Sequence, residues 1–139
     1  MVVFDATDMI LGRLASTAAR RAILGENVEV INCEKAVITG ARKRTLADYK
    51  QRFHRGSPTT GPFFRRMPDR FVKRAIRGMI PYKREKGTNA LKRVMCYMGV
   101  PDHLKDVKAE TLPQANISKI TVVKYTTVEE ICRNMGGKI

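Results

Sequence analysis

The stretch 67–81, MPDRFVKRAIRGMIP, constrains this chain more than any other. Phe71, Val72, Ala75, Ile76 and Met79 recur at helical spacing and predict one apolar face. Arg70, Lys73, Arg74 and Arg77 fall on the opposite face, at i, i+3, i+4 and i+7. Pro68 suits a first helical turn, where its missing N–H costs nothing, and Asp69 complements the helix dipole there. Pro81 is expected to stop the helix. Arg70 and Arg77 should stand roughly 10 Å apart along the axis. A merely solvated face interleaves acids with its bases, because like charges one turn apart repel. This outer face carries no acid, so it predicts a surface that meets a polyanion.

The whole chain supports that expectation. Its 139 residues carry 27 Lys and Arg against 13 Asp and Glu, a formal charge of +14. Such an excess repels itself in the compact state and implies an anionic partner. Nucleic acid is the first candidate and an anionic membrane the second. No stretch approaches the roughly 20 apolar residues of a membrane span. The start, MVVFD, lacks the basic head and long apolar core of a signal peptide, so a cytoplasmic protein is expected. The length predicts a single domain, 1–139, with the basic segment 62–101 inside it. Cys33, Cys96 and Cys132 are far apart, form no CxxC and lie in or near apolar stretches. They read as core thiols in a reducing compartment rather than a zinc site or a disulfide framework.

Residues 2–6 read as a buried strand, 11–24 as a helix and 28–31 as a second strand. The helix should turn Leu11, Leu14, Ala15, Ala18 and Ala22 inward, and Arg13, Thr17, Arg20 and Arg21 outward. Gly25 is its natural C-terminal cap. This order fits a βαβ unit with parallel strands, hence an α/β fold. Residues 34–40 form a turn-containing connection. Residues 41–53 form a second helix with Leu46, Tyr49 and Phe53 inward and Arg42, Lys43 and Arg44 crowded at its start. Cations there oppose the helix dipole, which favours a phosphate-facing role. Residues 55–62 read as an exposed loop and 82–87 as a basic turn. Thr88 or Asn89 should cap a short helix through Ala90, Leu91, Val94 and Met95. Residues 98–114 should wrap the surface irregularly, and 117–125 form a strand. Thr127 to Glu130 is a capping-box pattern opening a last helix, which Gly136 and Gly137 end.

Signals for enzyme chemistry are weak. The first strand–turn–helix carries only Gly12, not the three glycines of a dinucleotide site. Gly56 and Gly61 have phosphate-loop spacing, but Pro62 and Phe63 stand where Lys and Ser or Thr are needed. Asp5 and Asp8 lie where α/β enzymes place sites, yet they read more readily as turn and cap residues. His54 lies between Arg52 and Arg55; RNA contact or simple exposure suits it better than catalysis.

Several blocks together are more specific. They are Asp5-Ala6-Thr7 with Leu11 to Ser16, Val30 to Lys35 with Thr39-Gly40, the basic helix through Arg77 to Pro81, then Gly87, Leu91-Lys92 and Tyr97 to Pro101. In these blocks, from Asp5 to Pro101, the chain resembles the universal family of large ribosomal subunit protein thirteen. Its short lead before the first strand, its middle and its tail resemble the archaeal and eukaryotic branch. The resemblance implies a three-layer α/β/α fold with a small, mainly parallel sheet and a basic helical extension. It implies large-subunit ribosomal RNA and neighbouring ribosomal proteins as partners, and a part in early subunit assembly. It brings no catalysis, cofactor, metal or small-molecule substrate.

The expected RNA-binding flank is Arg65, Arg66, Arg70, Lys73, Arg74, Arg77, Lys83, Arg84, Lys86, Lys92 and Arg93. Arg42, Lys43, Arg44, Arg52 and Arg55 extend it. Phosphate contacts of this kind fix position more than they read sequence. Phe63, Phe64 and Tyr82 either stack on unpaired bases or pack in the core. The rival readings are a DNA-binding protein and a nucleotide-using α/β enzyme.

Overall fold

The computed structural model describes residues 1–121 and 124–139. Along the chain run β1 (Val2–Asp5), α1 (Leu11–Ile23), β2 (Val28–Ile31), β3 (Val37–Thr39), α2 (Arg42–Phe53), α3 (Pro68–Gly78), α4 (Glu85–Lys92), β4 (Val94–Cys96), β5 (Tyr125–Thr127) and α5 (Val128–Asn134). β1, β2 and β4 form a parallel sheet in that order, with Phe4 opposite Val30 and Val30 opposite Cys96. β3 and β5 form a small antiparallel pair. The fold is α/β with a small, mainly parallel sheet, as expected.

The βαβ unit follows from its pattern. Leu11, Leu14, Ala15, Ala18 and Ala22 are buried, joined by Ala19, and the small alanines let α3 pack closely on α1. Gly25 reverses the chain at φ +105°, a conformation that disfavours side chains. Strand alternation then divides the sheet between two cores. Phe4, Val28, Val30 and Val94 face the helices. Val3 and Ile31 point the other way, onto Leu104, Tyr97 and Ala109. That second face is covered by the irregular segment after β4, which includes a 3-10 turn at Asp102–Leu104. Glu110 closes the outer edge of β1, donating its N–H to Val3 O at 2.7 Å and accepting from Asp5 N at 3.2 Å.

At the carboxyl end of β1, Asp5 accepts hydrogen bonds from Thr7 N (3.0 Å), Thr7 Oγ1 (2.7 Å) and Asn32 Nδ2 (2.9 Å). Burial opposes its charge, but the bonds from Asn32 and Thr7 outweigh that and hold its pKa below the usual value. Asp5 thus serves as a turn residue tying β1 to the end of β2. All three cysteines are free. Burial pushes the Cys132 thiol up to about 12, and the neighbouring Cys96 thiol, with burial, raises that of Cys33. Cys33 and Cys132 are core thiols.

Several expectations are corrected. Met79 is 45% exposed and Ile80 is buried in its place. Helix α3 ends at Gly78, before Pro81 is reached, because the next N–H groups bond three residues back: Met79 to Ile76 O and Ile80 to Arg77 O. That tighter turn rotates Ile80 inward. The basic turn 82–87 is shorter than expected, since α4 begins at Glu85, with Thr88 inside it donating to Tyr82 O and Arg84 O. Val94 and Met95 belong to a strand, β4, not to a helix. Residues 37–39, expected within a connection, form β3. The strand expected over 117–125 is a 3-10 turn at Ile117–Lys119 and then β5 from Tyr125; Val122 and Val123 lie outside the described residues.

Gly87 explains how α4 closes on the preceding turn. A Cβ there would collide with the Pro81 carbonyl and Tyr82 N, all backbone atoms that cannot swing away. Gly87→Ala is therefore expected to lower stability by roughly 1–3 kcal/mol, although Ala is the better helix former by about 1 kcal/mol. Gly78, with nothing within 4 Å of its absent Cβ, is the control. Gly78→Ala should be neutral or stabilising when both variants are compared with the parent by urea titration.

Candidate nucleic-acid interface

Helix α3 presents the basic face from a rigid seat. Phe71, Val72 and Ile76 are buried on one side, and Arg70 and Arg77 are exposed on the other. Lys73 and Arg74, on the flanks, are half-buried along their stems. Among the described residues, none of these four cations pairs with a carboxylate. Their charge is available to a ligand.

Aromatic rings hold several of the guanidinium groups. Arg74 lies over Phe64 at 4.2 Å, Arg66 over Phe53 at 4.6 Å, Arg77 over Tyr82 at 5.1 Å and Arg52 over Tyr49 at 5.2 Å. Two of the rings are themselves anchored: Tyr49 and Phe64 cluster with Phe71, centroids 5.2–6.3 Å apart, joining α2 to α3. Stacking orders a long side chain before a ligand arrives and leaves its N–H fork free. Burial in this cluster raises the Tyr49 pKa.

Two grooves collect these groups. One, of about 490 Å³, is lined by Phe63, Arg65, Arg70, Lys73, Arg74, Arg77 and Leu91. The other, of about 410 Å³, is lined by Arg52, Arg55, Arg74, Tyr49, Pro62 and Phe64 among others. Arg74 borders both, so the loop after α2 and the outer face of α3 form one surface. The aromatic question divides. Phe64 packs against the core, Tyr82 lies 42% exposed under Arg77, and Phe63 is 67% exposed.

The remaining expected site residues are more scattered. Lys83, Arg84, Lys86 and Lys92 are exposed on α4 and the turn before it. Arg93 donates to Ala22 O at 3.4 Å, at the carboxyl end of α1. Arg66 packs against the chain near Gly136. Arg42, Lys43 and Arg44 are exposed at the far end of α2, about 15 Å along its axis from Arg52. Arg42 pairs there with Glu130 at 3.1 Å. His54 is exposed and meets Phe53 edge-on.

A second basic surface lies outside the expected set. Arg13, Arg20 and Arg21 on α1 border a groove of about 1130 Å³ against Leu112 to Ala115. Arg13 donates to Gln114 O at 2.7 Å, and Arg21 pairs with Glu26 at 3.2 Å. The outward spacing of Arg13 and Arg20 was legible, but the opposing wall depends on an irregular segment about a hundred residues later.

A sequence-family model described as ribosomal protein L13 matches residues 1–103. The chain is 45% identical to the large ribosomal subunit protein uL13 of Methanosarcina barkeri over 139 residues, covering 99% of each chain. The uL13 protein of Archaeoglobus fulgidus is 42% identical, over 96% of this chain and 86% of its own. That of Haloarcula marismortui is 38% identical, over 98% and 91%.

Proposed function

The chain belongs to the ribosomal protein L13 family, and on that premise we propose that it is a structural constituent of the large ribosomal subunit, held there by ribosomal RNA against its basic flank. The family is one of structural ribosomal proteins, not of enzymes. The observation that carries the RNA reading is the face of α3, four cations without a carboxylate partner among the described residues, two of them, Arg74 and Arg77, stacked on aromatic rings. Cations fixed at intervals along a helix and two grooves neutralise phosphates of RNA segments that otherwise repel one another. Binding of this kind supports early assembly, when the RNA is still folding. Residues 1–139 act as one domain in this reading, with 62–101 as the main RNA-binding segment. Neighbouring large-subunit proteins are further partners, and the cytoplasmic ribosome is the location.

The test is binding of nuclease-treated protein to large-subunit ribosomal RNA across a salt series, with transfer RNA and duplex DNA as competitors. With about 6–10 phosphate contacts, affinity should fall roughly 10³–10⁵-fold between about 50 and 200 mM salt. The ribosomal RNA should outlast both competitors. Equal affinity for all three polyanions, or no binding at low salt, overturns the reading.

A further inference from the structure

We propose that the groove around Phe63 is a nucleotide site, in which the ring stacks on one unpaired base of the bound RNA while Arg70, Lys73 and Arg77 hold the phosphates beside it. The proposal rests on the RNA reading above and deepens it to one position. Phe63 is the most exposed aromatic side chain among the described residues, at 67%. Its neighbour Phe64 joins the Tyr49–Phe71 cluster, so the pair is divided between core and solvent. Exposing a phenyl ring costs burial energy that a core position would have gained. Tyr49, Phe53, Phe64 and Tyr82 each lie beneath a guanidinium; among the described residues Phe63 has no such partner. It therefore keeps a π-surface free beside a concentration of positive charge.

The ring is also positioned. A Cβ on Gly61 would come within 3.1 Å of its Cδ2 and Cε2 atoms, so the ring lies against the Gly61 backbone. It borders the same groove as Arg65, Arg70, Lys73, Arg74 and Arg77. Cations that track a sugar–phosphate chain, next to an open aromatic face, are the elements of single-strand recognition. A duplex hides its base faces in the stack, so the chemistry selects a looped or bulged nucleotide.

The test uses the full chain and a large-subunit ribosomal RNA transcript, with a single-stranded RNA oligomer and a blunt RNA duplex as simpler probes. Phe63→Ala should weaken binding of the transcript and the single strand by roughly 5- to 150-fold. Duplex binding should be unchanged. Its slope of log affinity against log salt should match that of the parent protein, because stacking releases no counterions. The chain contains no Trp, so Phe63→Trp places one reporter in the site. It should retain affinity and lose fluorescence on saturation with the single strand. A Phe63→Ala protein that melts normally and binds the transcript within twofold overturns the inference, as does indole fluorescence of the Phe63→Trp protein that ignores saturating RNA. In both cases the parent protein still binds with a steep salt dependence. Loss of that parent binding is the separate failure of the RNA reading itself.

Discussion

Ile76→Asp is expected to remove cooperative folding at neutral pH. Ile76 is wholly buried where α3 meets the central core, within a cluster of apolar side chains. Truncating such a side chain alone costs roughly 2–5 kcal/mol. An unpaired carboxylate adds a desolvation penalty of several kcal/mol more. The sum rivals the whole stability of a small domain, about 5–15 kcal/mol. The charge component has a sign that can be measured. Burial raises the folded-state pKa of the new carboxyl above its unfolded value near 4. Stability is then retained below about pH 4 and lost as pH rises towards the folded pKa. Ile76→Asn, which keeps the polar misfit without a titrating group, should lack that added pH slope. Urea titrations of both variants by circular dichroism, set against the parent at each pH, separate the two effects. Parent-like stability of the Asp variant would show that this face of α3 is not buried.

The register of α3 was legible because its buried residues, Phe71, Val72 and Ile76, repeat at one period within one continuous helix. The same reasoning misplaced Met79, where the period ends: three-residue hydrogen bonds replace four-residue ones and the face rotates. β4 was hidden for another reason. Val94 continues the apolar spacing of α4, and three residues are too few to display alternation. What makes them a strand is pairing with β2, more than sixty residues earlier in the chain. β3 and β5 are equally short and distant partners. The site divides along the same line. The cations of α3 could be read from helical spacing. The stacking of Arg74 on Phe64 depends on the path of an irregular loop, as does the exposure of Phe63.

Reversing Arg74 and Arg77 together to Glu should cost RNA binding about 10²-fold or more at roughly 50 mM salt while the fold survives. Each phosphate contact contributes roughly tenfold through counterion release at that salt, so two lost contacts multiply to about a hundred. The two new carboxylates then repel the phosphates they replace. The slope of log affinity against log salt should fall in magnitude by about 1.8, twice the value for one contact on duplex nucleic acid. The structural loss is small by comparison. Both guanidinium groups lie over aromatic rings rather than in ion pairs, and each stack is worth about 0.5–1 kcal/mol near the surface. Total charge changes too, since each Arg→Glu removes two units and the chain falls from +14 to +10. A control with the same arithmetic is therefore needed, and Lys108→Glu with Lys119→Glu, both exposed and outside the basic flank and the α1 groove, supplies it. Equal losses in the two double variants would mean that the RNA responds to net charge and that α3 has no special place. A loss confined to Arg74 and Arg77 means that position decides, with two guanidinium forks held over aromatic rings where phosphates pass.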